Sequence, residues 1–154
     1  HSLPAFITEL TGITDEMLIS APYIDEVLPT LFEFLGSADE TVVVAHNSPF
    51  DLSFLKAASL THEFQWPDYV TVDTARLAKA VLDRDEIVNC KLATLAQFFG
   101  ASTSPTHRAL DDALATVDVL HGLIERLAGF DVHNFEQMRS FPSRKKRTKR
   151  PISE

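Results

Sequence analysis

The chain has 154 residues, 45% of them hydrophobic, and a formal net charge of −8. This length and apolar content are enough for one globular domain with a buried core. No apolar run approaches the ~20 residues of a membrane-spanning helix, and the first residues lack the basic and apolar regions of a signal peptide. Cys90 is the single cysteine, which excludes an internal disulfide.

The charge is unevenly distributed along the chain. Residues 141–154 have a balance of +5, so the preceding 140 residues carry −13. A strongly negative net charge is not typical of proteins that bind nucleic acids. Cations held by the carboxylates would, however, make the electrostatic potential around them positive. We expect one domain over residues 1–141 and a basic, disordered tail over residues 142–154.

The first part of the chain predicts short helices. Residues 5–10 and 15–19 have helical character, with Thr14 as the N-cap of the second helix. Apolar residues at helical spacing predict a third helix over residues 24–35, which ends near Gly36.

Two β-branched apolar segments, at residues 41–45 and 69–72, predict buried parallel strands. Helical spacing recurs between and after them, at residues 50–58, 75–82, 92–99 and 110–127. Strands that alternate with helices predict an α/β layered fold. After Gly129 the periodicity fades.

Two carboxylates occupy positions that suit a catalytic site. Asp51 follows the first predicted strand, and ligands bind beyond the carboxyl ends of parallel strands. Asp112 opens the longest helix, five residues after His107. Either acid alone could instead serve only the positive end of a helix. Asp111 lies about 100° around the helix from Asp112, so we expect these neighbours to have separate roles.

The other polar candidates also have ordinary structural interpretations. His107 alone is typical of a turn, and His46 alone is typical of a buried histidine whose hydrogen bonds are satisfied. Asp73 is best explained as a helix cap. A single cysteine argues against a thiolate zinc site.

Taken together, two segments resemble the second and third motifs of the DnaQ-like (DEDDh) 3′–5′ exonucleases; they are His46-Asn47-Ser48-Pro49-Phe50-Asp51 and His107-Arg108-Ala109-Leu110-Asp111-Asp112. The resemblance extends through Leu10-Thr11-Gly12-Ile13-Thr14 and Asp73-Thr74, and covers roughly residues 4–128. It is greater to the epsilon-type proofreading and PolC-type members than to the oligoribonuclease or RNase T types.

The resemblance implies a ribonuclease H-like fold, with a central mixed sheet flanked by helices, and metal-dependent 3′–5′ exonuclease activity at DNA 3′ ends, in proofreading or repair. His107 would be the general base, and Asp51 and Asp112 would bind metal in a two-metal site for Mg²⁺ or Mn²⁺. The residues implied in contact with the terminal nucleotide are Leu10, Thr11, Gly12, Ile13, His46, Asn47 and Phe50.

One part of the family pattern is absent from this sequence. The first motif, Asp-x-Glu on the first strand, has no counterpart before Leu10. We therefore expect a sheet without its N-terminal strands and a chain that is inactive alone. Such a chain would be marginally stable, or would complete its sheet by self-association or with retained upstream peptide.

The alternatives are a 3′–5′ exoribonuclease of the same family and a non-catalytic module that binds nucleic acid or a polymerase. The expected partners are a single-stranded DNA 3′ end and a DNA polymerase subunit, with no membrane. The bacterial resemblance implies a cytoplasmic location.

Overall fold

The structure is a computed structural model that describes residues 2–143. Along the chain, helices alternate with two strands. In chain order the elements are α1 (Ala5–Thr11), α2 (Asp15–Leu18), α3 (Ile24–Leu35), β1 (Val42–Ala45), α4 (Ser48–Thr61), β2 (Val70–Asp73), α5 (Thr74–Val81), α6 (Leu92–Phe99), α7 (Ala109–Ala128) and α8 (Phe135–Ser140).

Local sequence signals explain most of the helix ends. The Thr14 hydroxyl accepts a hydrogen bond from the Met17 N–H at 3.3 Å, which caps α2. The helix α3 ends at Gly36, and the helices α1 and α6 end at left-handed glycines, Gly12 and Gly100. A left-handed residue is the common way to end a helix, and glycine adopts it without a steric penalty.

The core lies where α7 packs against α5 and α6. The buried side of α7 carries Ala115, Val119, Leu123 and Leu127, which recur every fourth residue. Gly122 allows α6 to approach closely, because a β-carbon there would lie 2.3 Å from the Phe99 ring. Burial of these apolar side chains is the main term that stabilises the domain.

The two strands pair in parallel, with Val42 opposite Val70 and Ala45 opposite Asp73. They therefore end level, and the turns that follow them emerge at the same edge of the sheet. Within residues 2–143 the sheet consists of this parallel pair, so the antiparallel part of the expected mixed sheet is not among the described residues.

Each helix and strand expected from the sequence is present, and the main differences are one change of length and one additional helix. The helix α4 begins at Ser48 and ends at Thr61, longer at both ends than the expected 50–58. The helix α8 was not expected. Its Phe135 and Met138 pack against the core, together with Phe141 after it.

The expected disordered tail begins at residue 142, and residues 144–154 lie outside the described part of the chain. None of the helices in the described part is long and apolar enough to cross a membrane.

Candidate active site

Asp112 and His107 are joined by hydrogen bonds into a small closed loop. The Asp112 Oδ1 atom accepts from the backbone N–H groups of Thr106, at 3.1 Å, and His107, at 3.2 Å. His107 has a φ of 61°, a left-handed conformation that is uncommon for a residue with a side chain. The spacing of five residues therefore allows the His107 N–H to hydrogen-bond directly to the Asp112 carboxylate. This bond places the exposed His107 imidazole beside the first turn of α7.

Asp111 also contacts this loop, and the expectation that the two acids have separate roles stays a prediction. Its Oδ2 accepts a hydrogen bond from the Thr106 hydroxyl at 2.6 Å, while Asp112 accepts from the Thr106 N–H. The angle of about 100° between neighbours on a helix still holds. Thr106 contacts both acids despite this angle, because the loop passes across the end of the helix. Its N–H donates to Asp112 and its hydroxyl donates to Asp111.

A second tether holds the start of the same loop. One carboxylate oxygen of Asp118 accepts hydrogen bonds from the N–H and the hydroxyl of Ser102, both at 2.8 Å. These bonds from Ser102 lower the pKa of Asp118 below its ordinary value, since they favour the charged form. The segment from Ser102 to His107 is thus fixed to α7 at both ends.

Asp73 caps α5, as expected from the sequence, and also fixes the turn after β1. Its Oδ1 accepts from the N–H groups of Ala75 at 2.9 Å and Arg76 at 3.3 Å. The same oxygen accepts from the N–H of Asn47 at 3.0 Å. Asn47 is left-handed, with a φ of 66°, a conformation that asparagine tolerates better than most residues. The level ends of β1 and β2 bring these groups together.

His46 is a half-buried histidine with satisfied hydrogen bonds. Its Nδ1 lies 2.9 Å from the Thr74 hydroxyl, and the ring also hydrogen-bonds to the backbone of Cys90. Burial lowers the pKa of His46, against the opposing effects of the Asp73 charge and the Cys90 bond. These contacts assign His46 to the connection between β1, α5 and the loop before α6.

Asp51 lies in the first turn of α4 and is exposed. Phe50 beside it is 62% exposed, and its ring lies edge-to-face on Phe54 with centroids 5.1 Å apart. Both α4 and α7 contact β1. Asp51 and Asp112 are therefore in the first turns of two helices that flank one strand, although no hydrogen bond joins Asp51 to His107 or Asp112 in the described residues.

The segment from Leu10 to Ile13 closes α1 next to the His107 loop. Gly12 ends the helix with a φ of 68°, and a β-carbon on it would lie 3.5 Å from Nη1 of Arg108. The Thr11 hydroxyl donates to the Ile7 carbonyl at 2.8 Å and accepts from the Ile13 N–H at 3.1 Å. Leu10 is 49% exposed. An ordered turn with accessible apolar side chains thus adjoins the residue after His107.

The donor set for a metal ion is incomplete in the described part of the chain. Asp51 and Asp112 supply oxygen ligands of the kind that Mg²⁺ and Mn²⁺ accept. No group of three or more His, Cys, Asp or Glu side chains among residues 2–143 is arranged to hold a metal ion. These residues therefore do not fit a resident two-metal centre by themselves.

Sequence reasoning missed the tethers around these side chains. Thr106, Asp111 and Asp118 hold the His107 loop, and Asp73 holds Asn47. Each tether joins a short polar side chain to a backbone N–H or a hydroxyl. The only signal for them is the density of Ser, Thr and Asp in the loops, which is common in loops of every kind.

The exonuclease family model matches residues 1–120 of this chain. The chain is 51% identical over 141 residues to a Mycobacterium tuberculosis protein described as a bifunctional exonuclease/endonuclease, covering 92% of this chain and 21% of that protein. It is 36% identical to a PolC-type DNA polymerase III of Caldanaerobacter subterraneus, covering 90% of this chain and 9% of that protein.

A smaller relative is covered more completely. The chain is 34% identical over 130 residues to the DNA polymerase III epsilon subunit of Aquifex aeolicus, covering 82% of this chain and 60% of that subunit. The chain thus spans about a fifth or less of the two longer relatives. With the α/β architecture and the family match over most of its length, this chain belongs to the exonuclease family, as a DnaQ-like exonuclease domain with a ribonuclease H-like fold.

Proposed function

We propose that this domain hydrolyses phosphodiester bonds from the 3′ end of DNA, in proofreading or repair, with His107, Asp51 and Asp112 at its reaction centre. The observation that carries the proposal is the geometry of Asp112. Its Oδ1 is occupied by two backbone N–H groups, whereas its Oδ2 accepts no hydrogen bond from residues 2–143. One oxygen is held in place and the other is available to a ligand.

His107 is proposed as the general base. The imidazole of a histidine can accept a proton from water, which makes histidine the most frequent general base in enzymes. The left-handed turn at His107 and the bonds from Thr106 and His107 to Asp112 restrict where the ring can lie. A base with few accessible positions keeps the attacking water in line with the phosphorus more of the time.

Asp51 and Asp112 are proposed as ligands of Mg²⁺ or Mn²⁺, the divalent metals that suit carboxylate sites. Because the described residues hold no set of three ligands, the remaining donors would come from water, from substrate phosphate or from other residues. Two ions completed by such donors would stabilise the attacking and leaving oxygens of the phosphodiester.

Relatives support DNA as the substrate and a polymerase as the partner, because they include DNA polymerase III proteins. A relative in Staphylococcus epidermidis is named as a 3′–5′ exonuclease, which supports the direction. These bacterial proteins also support a cytoplasmic location. An exoribonuclease remains the alternative substrate class, and the 2′-hydroxyl would distinguish the two.

The test identifies the end from which DNA is degraded. Because the chain spans about a fifth or less of the two longer relatives, the test uses the natural protein that contains this sequence, called the full-length protein. A DNA oligonucleotide labelled at its 5′ end should yield a ladder of shortened labelled products, and the same DNA protected by phosphorothioates at its 3′ end should resist. Chelation with EDTA should stop the reaction, and Mg²⁺ or Mn²⁺ should restore it. Faster degradation of a matched RNA would favour the exoribonuclease. Loss of nucleotides from the 5′ end would refute the proposed direction.

A non-catalytic module is the second candidate, and one observation favours it. The incomplete donor set in residues 2–143 would leave a domain that binds nucleic acid or polymerase without cleaving it. Saturable oligonucleotide binding with no cleavage in Mg²⁺ or Mn²⁺ by the full-length protein would support this candidate.

A further inference from the structure

A cleft of about 300 Å³ lies between α5 and α8. One wall is the end of β2 and the outer side of α5, and the other wall is α8 with the residues that follow it. Neither Asp51 nor His107 nor Asp112 lines this cleft. The exonuclease assignment leaves it unexplained.

Among the described residues, three cationic side chains line the cleft. Arg76 and Lys79 are three residues apart on α5 and so occupy the same side of the helix, and Arg139 lies on the opposite wall. All three are exposed. Within the described residues Arg76 and Lys79 form no ion pair, whereas Arg139 has Glu136 at 3.9 Å.

Asp73 is the one acid that lines the cleft within residues 2–143, and its Oδ1 is occupied by the N–H groups of Asn47, Ala75 and Arg76. Residues 1–140 carry a balance of −13. A local excess of cations on so acidic a body indicates a surface suited to an anionic ligand.

The cleft also offers apolar contacts and adjoins the candidate active site. Met138 and Phe141 are half-buried and line one wall. Aromatic rings beside cations are typical of surfaces that bind single strands, where bases stack and phosphates pair with cations. Asn47 lines the cleft and is the N-cap of α4, four residues before Asp51. Four residues of helix rise about 6 Å.

We propose that this cleft binds the phosphodiester backbone of a single-stranded nucleic acid, beyond the nucleotide at the reaction centre, through Arg76, Lys79 and Arg139. The inference rests on the proposed nucleic-acid substrate. A strand held here would leave the cleft past Asn47, in the direction of α4.

The test measures binding of a fluorescein-labelled oligothymidylate to the 154-residue chain by anisotropy, in EDTA and over a series of NaCl concentrations. The variant Arg76→Gln/Lys79→Gln removes two cleft cations. The control Arg84→Gln/Lys91→Gln removes two exposed cations that do not line the cleft. Circular dichroism checks that each variant is folded.

The cleft variant should reduce the slope of log affinity against log salt by about 1.4, since each phosphate contact to a single strand contributes about 0.7. Affinity at 0.1 M NaCl should then fall on the order of tenfold, and the control should bind like the unmodified chain. Equal losses in the two variants would overturn the cleft as the binding site, as would no loss in either or no binding by the unmodified chain.

Competition separates nucleic acid from other polyanions. Unlabelled oligothymidylate should displace the probe at a lower concentration of negative charge than polyglutamate, because only the nucleic acid also offers bases that can contact the apolar part of the cleft wall. Equal displacement would overturn the nucleic-acid assignment. If a cleft variant binds DNA normally and gives a normal ladder of 3′-degradation products, this inference alone is overturned. If the unmodified full-length protein gives no ladder, the proposed function is overturned.

Discussion

Asp112 and Asp111 are neighbours in sequence with similar hydrogen bonds, so they form a matched pair for mutation. Each carboxylate accepts a hydrogen bond from Thr106, and an asparagine at either position keeps an oxygen that can accept it. The two substitutions remove the same charge. Any difference between them therefore reports the role of that charge in the reaction.

We expect Asp112→Asn to lower exonuclease turnover of the full-length protein by about 100-fold or more. Loss of residues that merely orient metal ligands costs 10- to 100-fold, and loss of a ligand charge should exceed that. Asp111→Asn should retain most of the activity. Steady-state rates on a 5′-labelled oligonucleotide measure both, and near-normal turnover by Asp112→Asn would refute the assignment of Asp112.

His107 tests the proposed base. His107→Asn should lower turnover by about 10²–10⁴-fold, the usual contribution of a general base, with little effect on metal affinity. Asparagine is the suitable replacement because it tolerates the left-handed backbone found here. Titration calorimetry with Mn²⁺ gives the affinity. Lost metal binding with unchanged turnover would identify His107 as a ligand.

His46 predicts a pH dependence of stability. Its folded-state pKa is lowered, chiefly by burial, so the unfolded chain binds the proton more tightly. Stability should be fully present above the ordinary histidine pKa of about 6.5 and should fall as the pH drops below it. The thermal midpoint of the chain should decrease from pH 7.5 to pH 5.5, and His46→Gln should show a smaller decrease. An identical decrease in both would contradict this role.

At the scale of helices and strands, the sequence predicts the bounds of an element where a clear apolar repeat ends at a strong termination signal. The helix α6 matches the expected residues 92–99 because Gly100 terminates a clear apolar repeat. The start of α4 is not predicted because Asn47, at the N-cap position, is left-handed and makes no capping hydrogen bond with its side chain, so no side-chain cap marks the first turn. The helix α8 has only 6 residues, too few for an apolar repeat to stand out.

The candidate site was predictable to a similar extent, and for a similar reason. Local spacing brought His107 and Asp112 together, since five residues can close a loop over a helix end. The contact between Gly12 and Arg108, and the bond from Asn47 to Asp73, join segments far apart in sequence. Such pairs depend on packing of whole elements, which a single sequence does not reveal.

The helix α8 should contribute to stability although it follows the matched family region. Met138 is half-buried and packs against the core, so Met138→Ala should lower the free energy of unfolding by about 1–2 kcal/mol, below the 2–5 of a fully buried site. Arg139→Ala, at the exposed neighbouring position, should change it by no more than about 0.5 kcal/mol. Urea denaturation followed by circular dichroism measures both. Equal effects would show that α8 is not docked in solution.

At the scale of the whole molecule, large apolar side chains are exposed on both helices that flank β1. Phe54 on α4 is 63% exposed, and Leu110 on α7 is 71% exposed. Exposed apolar area of this kind promotes association, and an unpaired strand edge beside it adds hydrogen-bonding groups. We therefore expect the 154-residue chain to self-associate.

Light scattering on Phe54→Ser/Leu110→Ser should show a lower average mass than the unmodified chain at the same concentration. Val88→Ser is the control, because Val88 is 89% exposed but lies outside the helices and strands. A homogeneous monomer of the unmodified chain at all concentrations would contradict the expectation.

The same preparation should show negligible exonuclease activity in saturating Mg²⁺ or Mn²⁺. The described residues do not assemble three metal ligands, so ions would be held weakly and without fixed geometry. Oligonucleotide degradation assays measure this directly. Robust metal-dependent 3′ trimming by the 154-residue chain as a monomer would show that residues 51, 107 and 112 suffice.

Cys90 is half-buried in the loop before α6, and its backbone hydrogen-bonds to His46. The rate at which its thiol is alkylated can therefore report local opening of this loop. Burial raises the pKa of its thiol, which suppresses the reactive thiolate, and the sequence holds no second cysteine to compete. Alkylation by iodoacetamide should therefore be slow and should follow the rate at which this loop parts from the sheet. A bound oligonucleotide that stiffens the Asn47 turn would be registered as slower labelling, without any fluorophore on the protein.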